Sequence, residues 1–103
     1  MTNDKTGAPT TVTQRGQEFT ITVDGQTVGI AAFADRGNQR VFVHTEVDES
    51  FQGRGLATIL VDEAIKSTKA DGLRIVAVCP MVAAFLDKHK EFDDIVDPVT
   101  NKT

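Results

Sequence analysis

The sequence predicts one α+β domain: an antiparallel meander, then a strand–loop–helix–strand crossover, then a short C-terminal helix. Three observations predict it. Residues 18–47 alternate apolar and polar side chains with period two between turn signals, as half-buried strands do. From Ala57 the apolar spacing becomes 0, 3, 4, 7 and 8, the stripe of an amphipathic helix. The run Ile75-Val76-Ala77-Val78, bounded by Gly72 and Pro80, is continuously apolar, as in a strand covered on both faces. At 103 residues the chain fits a single domain with a small core.

Residues 1–17 are rich in Thr, with Asn, Asp, Gly and Pro, and read as a flexible N-terminal tail. The folded domain is expected over 18–97, followed by a flexible polar tail over 98–103. The first strand starts at Glu18, with Phe19, Ile21 and Val23 on one face and Thr20 and Thr22 on the other. Asp24-Gly25 supplies a hairpin turn that tolerates positive φ. Val28 to Phe33 is the return strand, Asp35-Arg36-Gly37-Asn38 a second turn, and Val41 to Val47 the third strand. By simple alternation Phe42, His44 and Glu46 share a face of that strand.

In the helix, Ala57, Leu60, Val61, Ala64 and Ile65 form the inner stripe, while Asp62 and Lys66 sit one turn apart outside and can pair. Asp71-Gly72 ends it. Leu73 to Cys79 is the fourth strand, and Pro80, lacking an N–H, stops its ladder. The helical crossover between them makes the third and fourth strands parallel. Met81 to Lys88 is a short helix with Val82, Phe85 and Leu86 inward, and Phe92, Ile95 and Val96 form a last apolar cluster.

Composition removes several function classes. Eleven basic against fifteen acidic residues give a net charge of -4, which argues against a nucleic-acid module and mildly favours a cationic substrate. The single cysteine cannot form an internal disulfide. No apolar run approaches the roughly 20 residues of a membrane helix, and Met1 to Arg15 carries no hydrophobic signal core, so no membrane contact and a cytoplasmic location are expected. The absence of tyrosine removes one common proton donor.

The clearest chemical signal is Gln52-Gly53-Arg54-Gly55-Leu56-Ala57, placed between a strand and a helix start. First-turn amides have no intrahelical partner, the helix dipole adds positive charge there, and glycines let a ligand approach the backbone. Together these suit a phosphate, and Arg54 adds a cation. A P-loop requires Lys and then Ser or Thr after its last glycine, where Leu56-Ala57 stands. A dinucleotide fingerprint requires a third Gly or Ala where Thr58 stands. By spacing alone, the glycines serve equally to shape a strand-to-helix turn.

Gln52-x-x-Gly55-x-Ala57 resembles the acetyl-CoA pyrophosphate motif of the GNAT N-acetyltransferases. Three further stretches resemble the minimal single-domain (YjdJ-type) branch of that superfamily in the same order: His44-Thr45-Glu46-Val47, Cys79-Pro80-Met81-Val82 and His89-Lys90-Glu91-Phe92. The resemblance spans about Glu18 to Val96. It implies a compact GNAT-like fold, acetyl-CoA as co-substrate, an amine acceptor (small molecule, protein or peptide) and no metal. It also implies that the third and fourth strands splay apart around the pantetheine arm. Backbone groups near Glu46 and Val47 would bond to that arm, and Gln52, Gly53, Arg54, Gly55, Leu56 and Ala57 would surround the pyrophosphate.

The chemistry needs a base, because a lysine-type amine has a pKa of about 10.4. Glu46 is the first candidate, against a solvated strand carboxylate. His44 is the second, against a polar residue on the open sheet face. Cys79 can accept an acetyl group, donate a proton or line the acyl pocket, or can be a small buried residue. Phe85 stands about where many relatives carry a tyrosine acid, a role phenylalanine cannot fill.

Overall fold

The structure, a computed structural model, describes residues 2–3 and 7–99. Its strands are β1 (Thr2–Asn3), β2 (Pro9–Arg15), β3 (Glu18–Val23), β4 (Gln26–Arg36), β5 (Gln39–Val47), β6 (Arg74–Ala77) and β7 (Val96–Asp97). The helices are α1 (Leu56–Ala70) and α2 (Pro80–Lys88), with 3-10 turns at Glu49–Phe51 and Lys90–Ile95. The strands form one sheet in sequence order, antiparallel from β1 to β5 and parallel from β5 to β7. The α+β class, the meander and the parallel crossover match expectation.

Two elements differ from the sequence reading. Within the segment assigned to a flexible tail, Pro9–Arg15 forms β2, paired from Thr10↔Val23 to Arg15↔Glu18. Its threonines suit a pleated strand, but Val12 is its one large apolar residue, so alternation gave little signal. Part of that tail, and residues 100–103 of the C-terminal one, lie outside the described residues. At the other end, Val96–Asp97 adds a short parallel strand beside Ile75 and Val76. Helix α1 extends from Leu56 to Ala70 and buries Leu60, Val61, Ala64 and Ile65 as the stripe requires. It closes with Gly72 at φ 73° and a bond from the Leu73 amide to the Thr68 carbonyl, at 3.1 Å.

Both crossovers move the same way along the sheet, so the right-handed rule puts α1 and α2 on one face. There they bury Phe19, Ile21, Phe33 and Phe42 from the sheet against Leu56, Leu60, Ile65, Val82 and Phe85. The other face carries no helix among the described residues. Arg40 lies on the covered side, 3% exposed, with its guanidinium 4.4 Å from the centre of the Phe33 ring. It bonds Asp35 at 2.8 and 3.1 Å and Asp71 at 3.3 Å, tying the β4–β5 hairpin to the end of α1.

A bulge in β5 sets which residues face which way. Ala32 pairs with His44 and Phe33 with Phe42, so Val43 is an extra residue without a partner in β4. The alternation is therefore interrupted. Phe42 and Thr45 both point to the core, and His44 and Glu46 are exposed on the helix-free face. The expectation that Phe42 shares a face with His44 and Glu46 is corrected by this one residue.

Candidate functional site

Strands β5 and β6 pair only as far as Phe42↔Ala77. There the Phe42 carbonyl accepts two amides, from Val78 at 3.0 Å and Cys79 at 2.9 Å. Pro80 follows with no N–H and opens α2 at its first position, which suits its fixed φ. So β6 turns away while β5 runs on through Val43 to Val47 with that edge unpaired. A cavity of about 360 Å³ fills the fork. Thr45, Glu46 and Val47 form one wall, Phe51, Gln52 and Gly53 the rim, and Gly55 to Thr58 with Met81 the other wall.

The rim is braced by local bonds. Asp48 caps the 3-10 turn, its Oδ1 accepting from the Ser50 amide at 3.1 Å and the Ser50 hydroxyl at 2.8 Å. The Ser50 hydroxyl and amide hold the Asp48 carboxyl below its ordinary range. The Gln52 amide group donates to the Val47 carbonyl at 3.4 Å, joining the loop to the end of β5. Gly55 caps α1 at φ 77°, a left-handed conformation, and offers no side-chain acceptor to the first-turn amides. That turn contains no acidic residue. The end of α1 in the cavity is thus a set of N–H donors with the positive end of the helix dipole behind them.

The residues expected around the phosphate divide by how they can act. Val47, Gln52, Gly53, Gly55, Leu56 and Ala57 line the cavity. The Leu56 side chain is in the core, so only its backbone is presented. Arg54 instead lies over the Phe51 ring at 4.9 Å and is not among the lining residues. Thr58 and Met81, which the motif did not include, do line it. Their signals were present in the sequence: a first-turn hydroxyl one residue beyond the motif, and a large apolar residue directly after Cys79-Pro80.

The three candidate reactive side chains fall into two groups. His44 Nε2 lies 3.1 Å from Glu46 Oε2, and both side chains are mostly in solvent on the helix-free face. Glu46 also borders a second cavity of about 300 Å³ with Thr27 to Ile30 and Asp48, so it stands between two openings. Cys79 is buried on the other side, its Sγ 3.4 Å from Thr45 Oγ1. Burial pushes its thiol up, but Thr45 and the amides of Val82, Met81 and Thr45 more than offset that and leave it below its ordinary value. Cys79 does not line the cavity; Thr45, beside it, does. The structure thus brings His44 to Glu46 and Cys79 to Thr45, and keeps the pairs on opposite faces of β5.

A family model described as GCN5-related N-acetyl-transferase matches residues 18–95. No curated protein matches the chain in sequence. The fold is similar to a GCN5-like protein from Staphylococcus aureus, with TM-score 0.67 and 18% identity over 88% of this chain and 91% of that one. It is also similar to the ribosomal-protein-S18-alanine N-acetyltransferase of Escherichia coli, with TM-score 0.61 and 17% identity over 74% of this chain and 54% of that one. A third likeness is to an aminoglycoside N-acetyltransferase in complex with CoA, with TM-score 0.51 and 18% identity over 87% of this chain and 66% of that one.

Proposed function

The chain belongs to the GCN5-related N-acetyltransferases and is an acyltransferase, and from that premise we propose that it moves an acetyl group from acetyl-CoA to a primary amine. The fork between β5 and β6 carries this reading, because its cavity joins an unpaired strand edge to the bare N-terminus of α1. A strand edge pairs with the amides of an extended pantetheine arm, and helix N-termini bind phosphate. The residues present therefore fit the coenzyme. Amides of Gly53 to Ala57 hold the pyrophosphate, with the Thr58 hydroxyl beside them. Gln52 keeps that loop against Val47.

Acetyl-CoA supplies a thioester whose carbonyl carbon is attacked by the neutral amine. Glu46 takes the proton the amine must lose. It borders both the coenzyme cavity and the opening on the helix-free face, so the acceptor approaches from the second while the thioester lies in the first. His44, bonded to Glu46, orients the carboxylate. A backbone amide of the unpaired stretch at Glu46 and Val47 receives the developing oxyanion. When the tetrahedral intermediate collapses, the C–S bond breaks and the new C–N bond remains. The departing thiolate gains a proton through the Thr45 hydroxyl, which Cys79 re-supplies. A thiol held below its ordinary pKa is the better acid for that step.

The test is a titration followed by turnover. Acetyl-CoA should raise the melting temperature, and free CoA should appear on addition of a suitable member of a primary-amine panel, read by chromatography. No shift at millimolar acetyl-CoA refutes the proposal. A shift without CoA release across protein, peptide and small amines reduces the chain to a CoA-binding module.

A further inference from the structure

A cavity of about 210 Å³ lies on the far side of β6 from the fork and shares no lining residue with the fork cavity. Helix α2 walls it with Ala83 and Leu86, the sheet with Ala77 and Val96, and Val99, 44% exposed, completes the apolar lining. It is smaller than a cofactor site, roughly 300–1,000 Å³, and suits one or two side chains. Beside it β7 is the edge of the sheet, and no described strand pairs with its outer side. The outward main-chain groups of such an edge are a template for a further extended segment. Pro98 follows directly and, with no N–H, keeps that template short.

The rim of this recess is acidic. Asp87 and Asp93 line it, are exposed and form no ion pair with another described residue. Asp97 lines it too, but its carboxylate is taken by Arg74 at 2.7 Å and Gln39 at 2.8 Å. Lys90 is the one cation among the lining residues and is outnumbered. Over residues 87–97 five carboxylates stand against two lysines. Such a rim repels a second copy of this chain, whose net charge is -4, and draws a cationic segment.

We propose that this recess docks an extended segment of a protein partner, one with an apolar side chain of leucine size between two arginines or lysines. The main chain of that segment pairs with Val96 and Asp97, its apolar side chain enters between Ala77 and Ala83, and its cations meet Asp87 and Asp93. Peptides held in this way take affinity from the main-chain bonds and specificity from the pocket. Because recess and fork lie on opposite sides of β6, docking does not depend on what the fork holds.

Heteronuclear NMR titration of the full chain with three short end-blocked peptides tests this. One carries Arg-Leu-Arg at its centre, one Arg-Asn-Arg and one Glu-Leu-Glu, and none contains a primary amine. The first should bind below millimolar concentration, shift the amides of Ala83, Leu86, Val96 and Val99, and weaken as salt is added. The other two should bind at least about tenfold more weakly. Ala83→Phe fills the recess from an exposed helix position and should abolish binding while melting near the wild-type temperature. Asp87→Lys with Asp93→Lys should weaken binding by about fivefold or more and remove its salt dependence. No binding at millimolar Arg-Leu-Arg peptide, equal binding of the three, or unchanged binding by either variant overturns the proposal. So does a dimer in sedimentation equilibrium that Ala83→Phe dissociates, which gives the recess to a second copy.

Discussion

Gly29→Ala should disturb the Glu46–Val47 wall of the fork cavity without lining it. Gly29 pairs with Val47 across β4 and β5. A Cβ built there meets Ile21 Cγ2 at 3.0 Å, the Glu46 carbonyl oxygen at 3.1 Å and Val47 Cγ2 at 3.2 Å. Ordinary contact begins at 3.4 Å, so these three neighbours must retreat by about 0.2–0.4 Å. Ile21 is fully buried and the carbonyl belongs to the ladder, so neither gives freely. Overpacking of this kind costs about 1–3 kcal/mol. At roughly 4–8 °C per kcal/mol for a domain of this size, the melting temperature should fall by about 5–20 °C. The movement is directed into Glu46 and Val47, which line the fork cavity, so acetyl-CoA affinity should fall as well. Differential scanning calorimetry reads the first effect and calorimetric titration the second. A Gly29→Ala variant with wild-type melting and wild-type acetyl-CoA affinity refutes the close approach of β4 to the end of β5.

Glu46→Gln should lower kcat by about 10²- to 10⁴-fold while leaving CoA affinity near wild type, and full turnover in this variant removes Glu46 as the base. Thr45→Val deletes a hydrogen bond that lowers the Cys79 pKa, so the thiolate absorbance of Cys79 should appear at higher pH than in the wild type; an unmoved titration rules out the Thr45–Cys79 link. Arg40→Met should cost about 2 kcal/mol in denaturant unfolding, less than a fully buried pair, because Asp35 and Asp71 are half exposed and regain water. The Arg40 hydrogen bond, opposed by burial and helped by its charge, depresses Asp35 below 3.8 in the fold. That contribution is fully present above the unfolded value and is lost as pH falls through the folded one, so the difference between wild type and Arg40→Met should shrink below about pH 4. A difference that is unchanged down to pH 2 contradicts it.

The helix α1 and the loop before it were legible because each follows from a local rule. Leu60, Val61, Ala64 and Ile65 meet the core through the helical period alone, and Gly55 is required by a left-handed cap. The meander was equally readable where Phe19, Ile21 and Val23 alternate with threonines. Strand β2 was not, since its place in the sheet comes from pairing with β3, and Val12 supplies little of its own. Facing was lost at Val43. The stretch Val41-Phe42-Val43-His44 suits a strand at every position, so nothing local marks the extra residue; the pairing with Ala32 and Phe33 does. That one residue puts Thr45, rather than His44 and Glu46, on the core face beside Cys79, and thereby sets the arrangement of the site. The Leu73–Cys79 run has the pattern of a strand buried throughout, but pairing ends at Ala77 and Val78 is 48% exposed. What ends it is the fork, a relation between two strands far apart in sequence.

The shared Phe42 carbonyl has a consequence for how freely this site can change. A parallel ladder closes like a zipper, and both lone pairs of that oxygen are already engaged by Val78 and Cys79. To zip further, β6 would have to give up one of those bonds and then pass Pro80, which has no donor to offer. The stop is built from main chain and one imino acid, and of the side chains that line the opening only Thr45 reaches it, through Cys79. Residues such as Phe51 and Met81 can therefore be exchanged during evolution, or in the laboratory, to reshape what the opening accepts while its width persists. The fold separates keeping a cleft from furnishing it.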